Sequence, residues 1–132
     1  MKLETGLKKS NYYTVEDRHT AFSMSSGALE VYATPMLIAA MEETCMDAAA
    51  ACLNEPDTTV GTLVNIRHVA PSPVGAKVRV DCELIEIDGR RLVFRVEAHD
   101  STDELIGEGI HERFIVDRET FMAKVAEKKS RI

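Results

Sequence analysis

The chain has 132 residues, 45% of them apolar and 29% charged, the balance of a single soluble globular domain spanning residues 1–132. A net charge of −6 repels polyanions and argues against nucleic acid as a partner; a small anion needs only a local basic patch, which Arg67, Lys77, Arg79, Arg90 and Arg91 supply unless they are solvated strand faces. No stretch approaches the ~20 apolar residues of a membrane span, the N-terminus lacks the apolar run of a signal peptide, and an odd set of cysteines (Cys45, Cys52, Cys82) suggests reduced thiols in the cytoplasm.

In chain order, residues 6–26 are mixed, with Tyr12, Tyr13 and Val15 marking a strand and Ser25-Ser26-Gly27 a loop. Ala28 to Ala33 reads as a short helical turn. Thr34 is then expected as an N-cap, with Pro35 at the first helical position, where its missing N–H costs nothing. The helix runs from Met36 to about Leu53, is apolar nearly all round, and ends at Asn54-Glu55-Pro56-Asp57. Cys45 and Cys52 lie too far apart along it to bridge and read as small core residues, and no Cys/His cluster has zinc-ligand spacing.

Strand patterns follow. Thr58 to Val69 is rich in β-branched residues and is broken by Ala70-Pro71-Ser72-Pro73-Val74-Gly75. Ala76 to Ile87 alternates, with Val78, Val80, Cys82 and Leu84 on one face, and Asp88-Gly89 is a hairpin signal. Arg91 to His99 turns Leu92, Phe94, Val96 and Ala98 inward, and Leu105 to Val116 is the last long strand. Asp117 caps a terminal helix carrying Phe121 and Val125. A strand, a long buried helix and four strands joined mainly by tight turns make an α+β protein, an antiparallel sheet wrapped around its helix. A helix this apolar needs cover on a second side, which a second subunit could give.

Polar residues in apolar surroundings are the candidates for chemistry. Glu43 shares a polar stripe with Asp47 and Asn54, whereas Glu42 shares its side with Ile38, Met46, Ala49 and Leu53. A carboxylate seldom sits in such a stripe without a partner, and burial suits it to proton transfer unless a cation or donor nearby opposes this. On the next strand, period two sets Val60, Thr62, Val64, Ile66 and His68 on one, mostly apolar face, with Gly61, Leu63, Asn65, Arg67 and Val69 opposite. His68 is a core or edge histidine, or a neutral imidazole able to pair with a buried carboxylate. Thr34 has a sufficient job as an N-cap, but it also stands where a helix N-terminus stabilises an oxyanion. On one helix Thr34 and Glu42 are about 12 Å apart along the axis, so spacing alone does not join them into one site. His111 and Arg113 fall opposite Ile110, Glu112 and Phe114 and read as a solvated sheet face, with Arg113 a lesser candidate for a substrate phosphate or carboxylate.

The segment Ala33-Thr34-Pro35-Met36-Leu37-Ile38-Ala39-Ala40-Met41-Glu42 resembles the central-helix entrance of the fluoroacetyl-CoA thioesterase-like proteins, a hotdog-fold family. Gly61-Thr62 with Ile66-Arg67-His68 is similar to the family's next strand, and Arg90-Arg91-Leu92, Ala98-His99-Asp100 and Gly109-Ile110-His111-Glu112-Arg113 to its later ones, so that the likeness covers about residues 28–126. The resemblance implies a homodimeric hotdog domain that hydrolyses a small acyl-CoA thioester with no metal and no cofactor beyond the coenzyme A of the substrate. It implies Thr34, Glu42 and His68 as the catalytic residues and the Gly61 backbone as the contact to the thioester carbonyl. The fluoroacetyl-specific member has a bulky aromatic gate shortly before the threonine. Ala28, followed by Leu29, takes that place here, which argues for a broader or different acyl group. In such a site Glu42 acts as nucleophile or as general base toward water, Thr34 orients Glu42, the substrate or the water, and His68 assists proton transfer to water or to the leaving group. A hydratase acting on enoyl thioesters, a non-catalytic acyl-CoA binding module and a ligand-free structural dimer are the competing readings.

Overall fold

The computed structural model describes residues 1–132. Five strands, β1 (Lys8–Thr14), β2 (Asp57–His68), β3 (Lys77–Asp88), β4 (Arg91–Asp100) and β5 (Leu105–Asp117), form one antiparallel sheet in the order β1-β3-β4-β5-β2. Helix α1 (Thr34–Ala50) lies across one face, and α2 (Arg118–Lys129) follows β5. The alternation read from β3 and β4 is the one observed: Val78, Val80, Cys82, Leu84, Leu92, Phe94, Val96 and Ala98 are buried against Leu37, Ala40, Met41, Cys45 and Ala48 of α1. A fully enclosed side chain such as Leu37 costs about 2–5 kcal/mol when cut to Ala, so this seam fixes α1 on the sheet. Asp88 pairs with Arg91 across a tight turn, and Asp117 caps α2, accepting a hydrogen bond from the Thr120 N–H.

Three local expectations are corrected. Residues 28–33 are not a helical turn, because their backbone bonds go across the chain: Ala21 N–H donates to Val31 O, Phe22 N–H to Leu29 O, and Ala33 N–H to His19 O. The N-cap of α1 is Ala33, not Thr34, and it has no side-chain cap; Thr34 and Pro35 are the first two helical residues. The helix stops at Ala50 rather than Leu53, since the Cys52 and Leu53 N–H groups donate to Ala49 O and Ala50 O in tighter three-residue turns.

The basic residues do not gather into a patch. Arg79 pairs with Asp81, Arg90 with Asp57, and Arg91 with Glu86, Asp88 and Glu112. Arg67 is exposed. Cys45, Cys52 and Cys82 are free, with Cys45 and Cys82 buried. No helix is long and apolar enough to cross a membrane.

Candidate active site

One irregularity in β2 decides where its side chains point. Pairing with β5 slips between Gly61 and Leu63, leaving Thr62 as the extra residue of a bulge. Residues opposite each other in an antiparallel pair share a face. Thr59 faces Ile115, Gly61 faces Arg113, Val64 faces His111, Ile66 faces Gly109 and His68 faces Gly107. Ile115, His111 and Arg113 are buried on the α1 side, so that side also carries Thr59, Gly61, Val64, Ile66 and His68. The strict two-residue period put Gly61 opposite His68; the bulge brings both to the helix.

At the N-terminal end of α1, Thr34 Oγ1 and His68 Nδ1 are 2.8 Å apart in a hydrogen bond. Freed from capping, the Thr34 hydroxyl can serve the imidazole. Opposite His68, Gly107 leaves room for the helix: a Cβ there would lie 2.7 Å from Leu37 Cδ2 and force that buried side chain to shift. Burial, opposed by the Ala70 carbonyl, holds the His68 pKa below its ordinary 6.5, and Nε2 is buried without a hydrogen-bond partner. Tyr32 packs edge-on against the ring at 6.5 Å between centroids, its own phenol pushed up to about 12 chiefly by burial. A cavity of about 260 Å³ opens beside the pair, lined by Ser26, Tyr32, Thr34, His68 and Ala70 among others. Ala28 and Leu29 are exposed on the loop that supplies Ser26 and do not line it.

The second cluster lies further along α1. Glu42 is half-buried, and its carboxylate hangs over Gly61: a Cβ on that glycine would meet Glu42 Oε2 at 2.8 Å, His111 Cε1 at 3.2 Å and Arg113 Nη1 at 3.4 Å. Only glycine leaves the carboxylate this place against the strand. Beneath it, Arg113 donates from Nε to Thr59 Oγ1 at 2.8 Å, from Nη2 to Thr59 O at 3.1 Å, and from Nη1 to His111 Nε2 at 3.0 Å. His111 Nδ1–H in turn donates to Leu63 O at 2.8 Å. Burial first, then the adjacent Arg113 charge, depresses the His111 pKa against the pull of the Leu63 carbonyl. Burial also depresses Arg113, with Cys45 and Glu42 favouring its charge.

His111 and Arg113 are therefore not a solvated face. They are 1% and 5% exposed, and Arg113 is spent on β2 and His111, out of reach of a surface phosphate. They share their phase along β5 with the buried Ile115, whereas Phe114, on the opposite phase, is 41% exposed. No group of three or more His, Cys, Asp or Glu side chains is arranged to hold a metal ion. A larger cavity of about 420 Å³, around Tyr12, Arg79 and His99, shares no residue with either cluster. The chain thus presents a hydroxyl–imidazole pair and, about 12 Å away along the helix, a carboxylate above a glycine.

The chain is similar to several known proteins. Residues 15–119 match the model of the fluoroacetyl-CoA-specific thioesterase family. The chain is 43% identical over 99 residues to the fluoroacetyl-CoA thioesterase of Streptantibioticus cattleyicolor, covering 75% of this chain and 70% of that protein. Its structure superposes on the fluoroacetyl-CoA thioesterase FlK with a TM-score of 0.90 at 34% identity, over 97% of this chain and 98% of that one. A Thermus thermophilus hypothetical protein described as a thioesterase superfamily member gives 0.91 at 28% identity, over 98% and 95%. A hot-dog-like protein from Thermanaerovibrio acidaminovorans, 21% identical, gives 0.85 over 94% and 91% and has the same fold. The fold is the hotdog, and the chain belongs to the fluoroacetyl-CoA-specific thioesterase family.

Proposed function

We propose that this protein hydrolyses a small acyl-CoA thioester as a homodimer in the cytoplasm. The observation that carries the reading is the pair of clusters on one helix: Thr34 bonded to His68, and Glu42 seated over Gly61. Variants of FlK have been solved with acetyl-CoA and with fluoroacetate and CoA. In the overall reaction water adds to the acyl carbon, the C–S bond breaks, and the products are a carboxylic acid and the CoA thiol. Glu42 either attacks the carbonyl or takes the proton of the attacking water. The Gly61 backbone holds the oxyanion, a type of contact typically worth about 3 kcal/mol. Thr34 and His68 deliver a proton to the departing thiolate. Arg113 lies on the floor beneath Glu42, so any contact it makes with substrate is with the acyl end.

Two copies supply what one lacks. β2 is a 12-residue edge strand with Leu63 and Val64 each 43% exposed, an edge that pairs readily with another strand. Ala39, Met46 and Ala50 leave an apolar stripe of α1 uncovered beside it. Antiparallel pairing of two β2 edges centred on Asn65, with the Gly61–Thr62 bulge taking one position in the ladder, sets His68 of one strand opposite Gly61 of the other. The Thr34–His68 pair of one copy then faces the Glu42 carboxylate of its mate. Ala28 stands where the fluoroacetyl-specific member has an aromatic gate, which suits a broader or different acyl group.

Thiol release from a panel of short, branched, aromatic and hydroxylated acyl-CoA esters tests this, with wild type compared against Glu42→Ala. Cleavage of some ester, lost by about 100-fold or more in the variant, is the expected result. Enoyl-CoA consumed without thiol release would instead identify a hydratase, and binding without turnover an acyl-CoA binding module.

A further inference from the structure

The reactive backbone at Gly61 is gripped from both sides by two side chains of β5. Arg113 holds Thr59, two residues before Gly61, through both its hydroxyl and its carbonyl. His111 holds the carbonyl of Leu63, two residues after it. The two grips are tied together by the Arg113 Nη1 donor and the His111 Nε2 acceptor. The chain Thr59–Arg113–His111–Leu63 therefore spans the Gly61–Thr62 bulge like a staple. A bulge is a place where strand pairing alone does not dictate backbone direction, so an external constraint has something to decide there. Thr59, His111 and Arg113 are buried, and there a hydrogen bond missing one partner leaves the other unsatisfied at appreciable cost.

We propose that His111 and Arg113 are positioning residues that clamp the Gly61–Thr62 bulge from β5, fixing the direction of the backbone that receives the thioester oxygen and the seat of the Glu42 carboxylate. The inference rests on the thioesterase reading for its catalytic consequence, but not for its structural one. The polarity of the staple has a single solution. Arg113 can only donate, so His111 Nε2 must accept, and Nδ1 must carry the proton it gives to Leu63 O. Protonating the ring would remove that acceptor and set an imidazolium against the guanidinium. The charged groups that act on the ring are Arg113 on β5 and Glu42 on α1, with Glu112 next to it on the other face of β5.

The test uses the full chain as wild type, His111→Phe and His111→Asn. Phenylalanine removes both bonds, while asparagine keeps a donor near Leu63 O. Three readouts are taken: ring nitrogen-15 spectra of His111, amide exchange over residues 59–63, and kcat and KM on whichever ester the panel selects. The clamp predicts a wild-type ring protonated at Nδ1. It predicts residue 59–63 amides that exchange at least about tenfold faster in His111→Phe, kcat lower by about tenfold with KM within about twofold, and partial recovery of both in His111→Asn. A ring unprotonated at Nδ1, or a folded His111→Phe with unchanged exchange and kcat, overturns it. Should His111→Phe not fold, the wild-type ring spectrum and His111→Asn decide. Should wild type cleave no ester, the thioesterase reading falls, while ring protonation and amide exchange still judge the clamp.

Discussion

Gly61→Ala is the substitution whose effect the geometry fixes best. The new methyl would sit 2.8 Å from Glu42 Oε2, 3.2 Å from His111 Cε1 and 3.4 Å from Arg113 Nη1. His111 and Arg113 are held by hydrogen bonds and do not move freely. Glu42 makes no such bond, so its carboxylate is the group that yields, and it must retreat by about 0.6 Å to regain an ordinary contact. A terminal carboxylate moves that far by rotating, which costs the fold under about 1 kcal/mol, or at most a few degrees in Tm. The chemistry is less forgiving. A reacting group displaced by an appreciable fraction of an ångström loses much of its alignment, and a 1 Å error costs about 100-fold. The expected outcome is kcat reduced by about 30- to 100-fold with KM little changed and Tm within about 4 °C of wild type. Thiol release under saturating ester measures the first, and thermal denaturation followed by circular dichroism the second. A variant with kcat within threefold of wild type would refute the argument, because it would mean that the carboxylate above Gly61 is not where the reaction takes place.

Thr34→Val deletes the hydroxyl bonded to His68 while keeping the shape; kcat is expected to fall by about tenfold or more and to be largely restored in Thr34→Ser, measured by the same thiol assay. If the site is completed across the dimer, mixing inactive Glu42→Ala with inactive His68→Ala regenerates activity up to about a quarter of wild type, because a mixed dimer places both lesions in one site and leaves the other whole; a mixture that stays inactive after verified subunit exchange means that both groups act within one chain. His68 and His111 are both held below the ordinary 6.5, chiefly by burial. The unfolded chain therefore takes up protons first, and stability declines as pH falls from about 6.5 through the folded values. Urea midpoints should drop between pH 7.5 and pH 5, a window above that in which Asp100 and Asp117, lowered from 3.8, titrate, and less so in His68→Gln.

What could be read in the sequence divides along one physical line. Patterns carried by many residues were legible: the alternation of β3 and β4 and the apolar run of α1 are repeated signals, each reinforced by the next residue. Features decided by a single backbone bond were not. Whether Thr34 or Ala33 takes the N-cap position depends on one dihedral, and Thr-Pro satisfies the preference either way. The segment 28–33 has helix-forming residues, but its N–H and C=O groups find partners in residues 19–22, a tertiary choice that overrides a weak propensity. The phase of Ile110, Glu112 and Phe114 sets His111 and Arg113 outward; they are inside, where Leu63 O and Thr59 accept their hydrogen bonds.

The Thr62 bulge shows most clearly how a local irregularity creates a site. Gly61 and His68 are seven residues apart, an odd number, and a regular strand sends an odd-spaced pair to opposite faces. Had β2 been regular, either His68 or Gly61 would face away from α1, and no dimer register could bring imidazole, carboxylate and glycine backbone to one cavity. One inserted residue repairs the parity. The same residue leaves the backbone around Gly61 without a complete ladder, which is where a substrate carbonyl can be received and where β5 supplies the Arg113 and His111 grips instead. Deleting Thr62 would therefore do more than shorten a strand. It would return His68 and everything after it to the far face, and Thr34 would lose its 2.8 Å partner although both residues are still present.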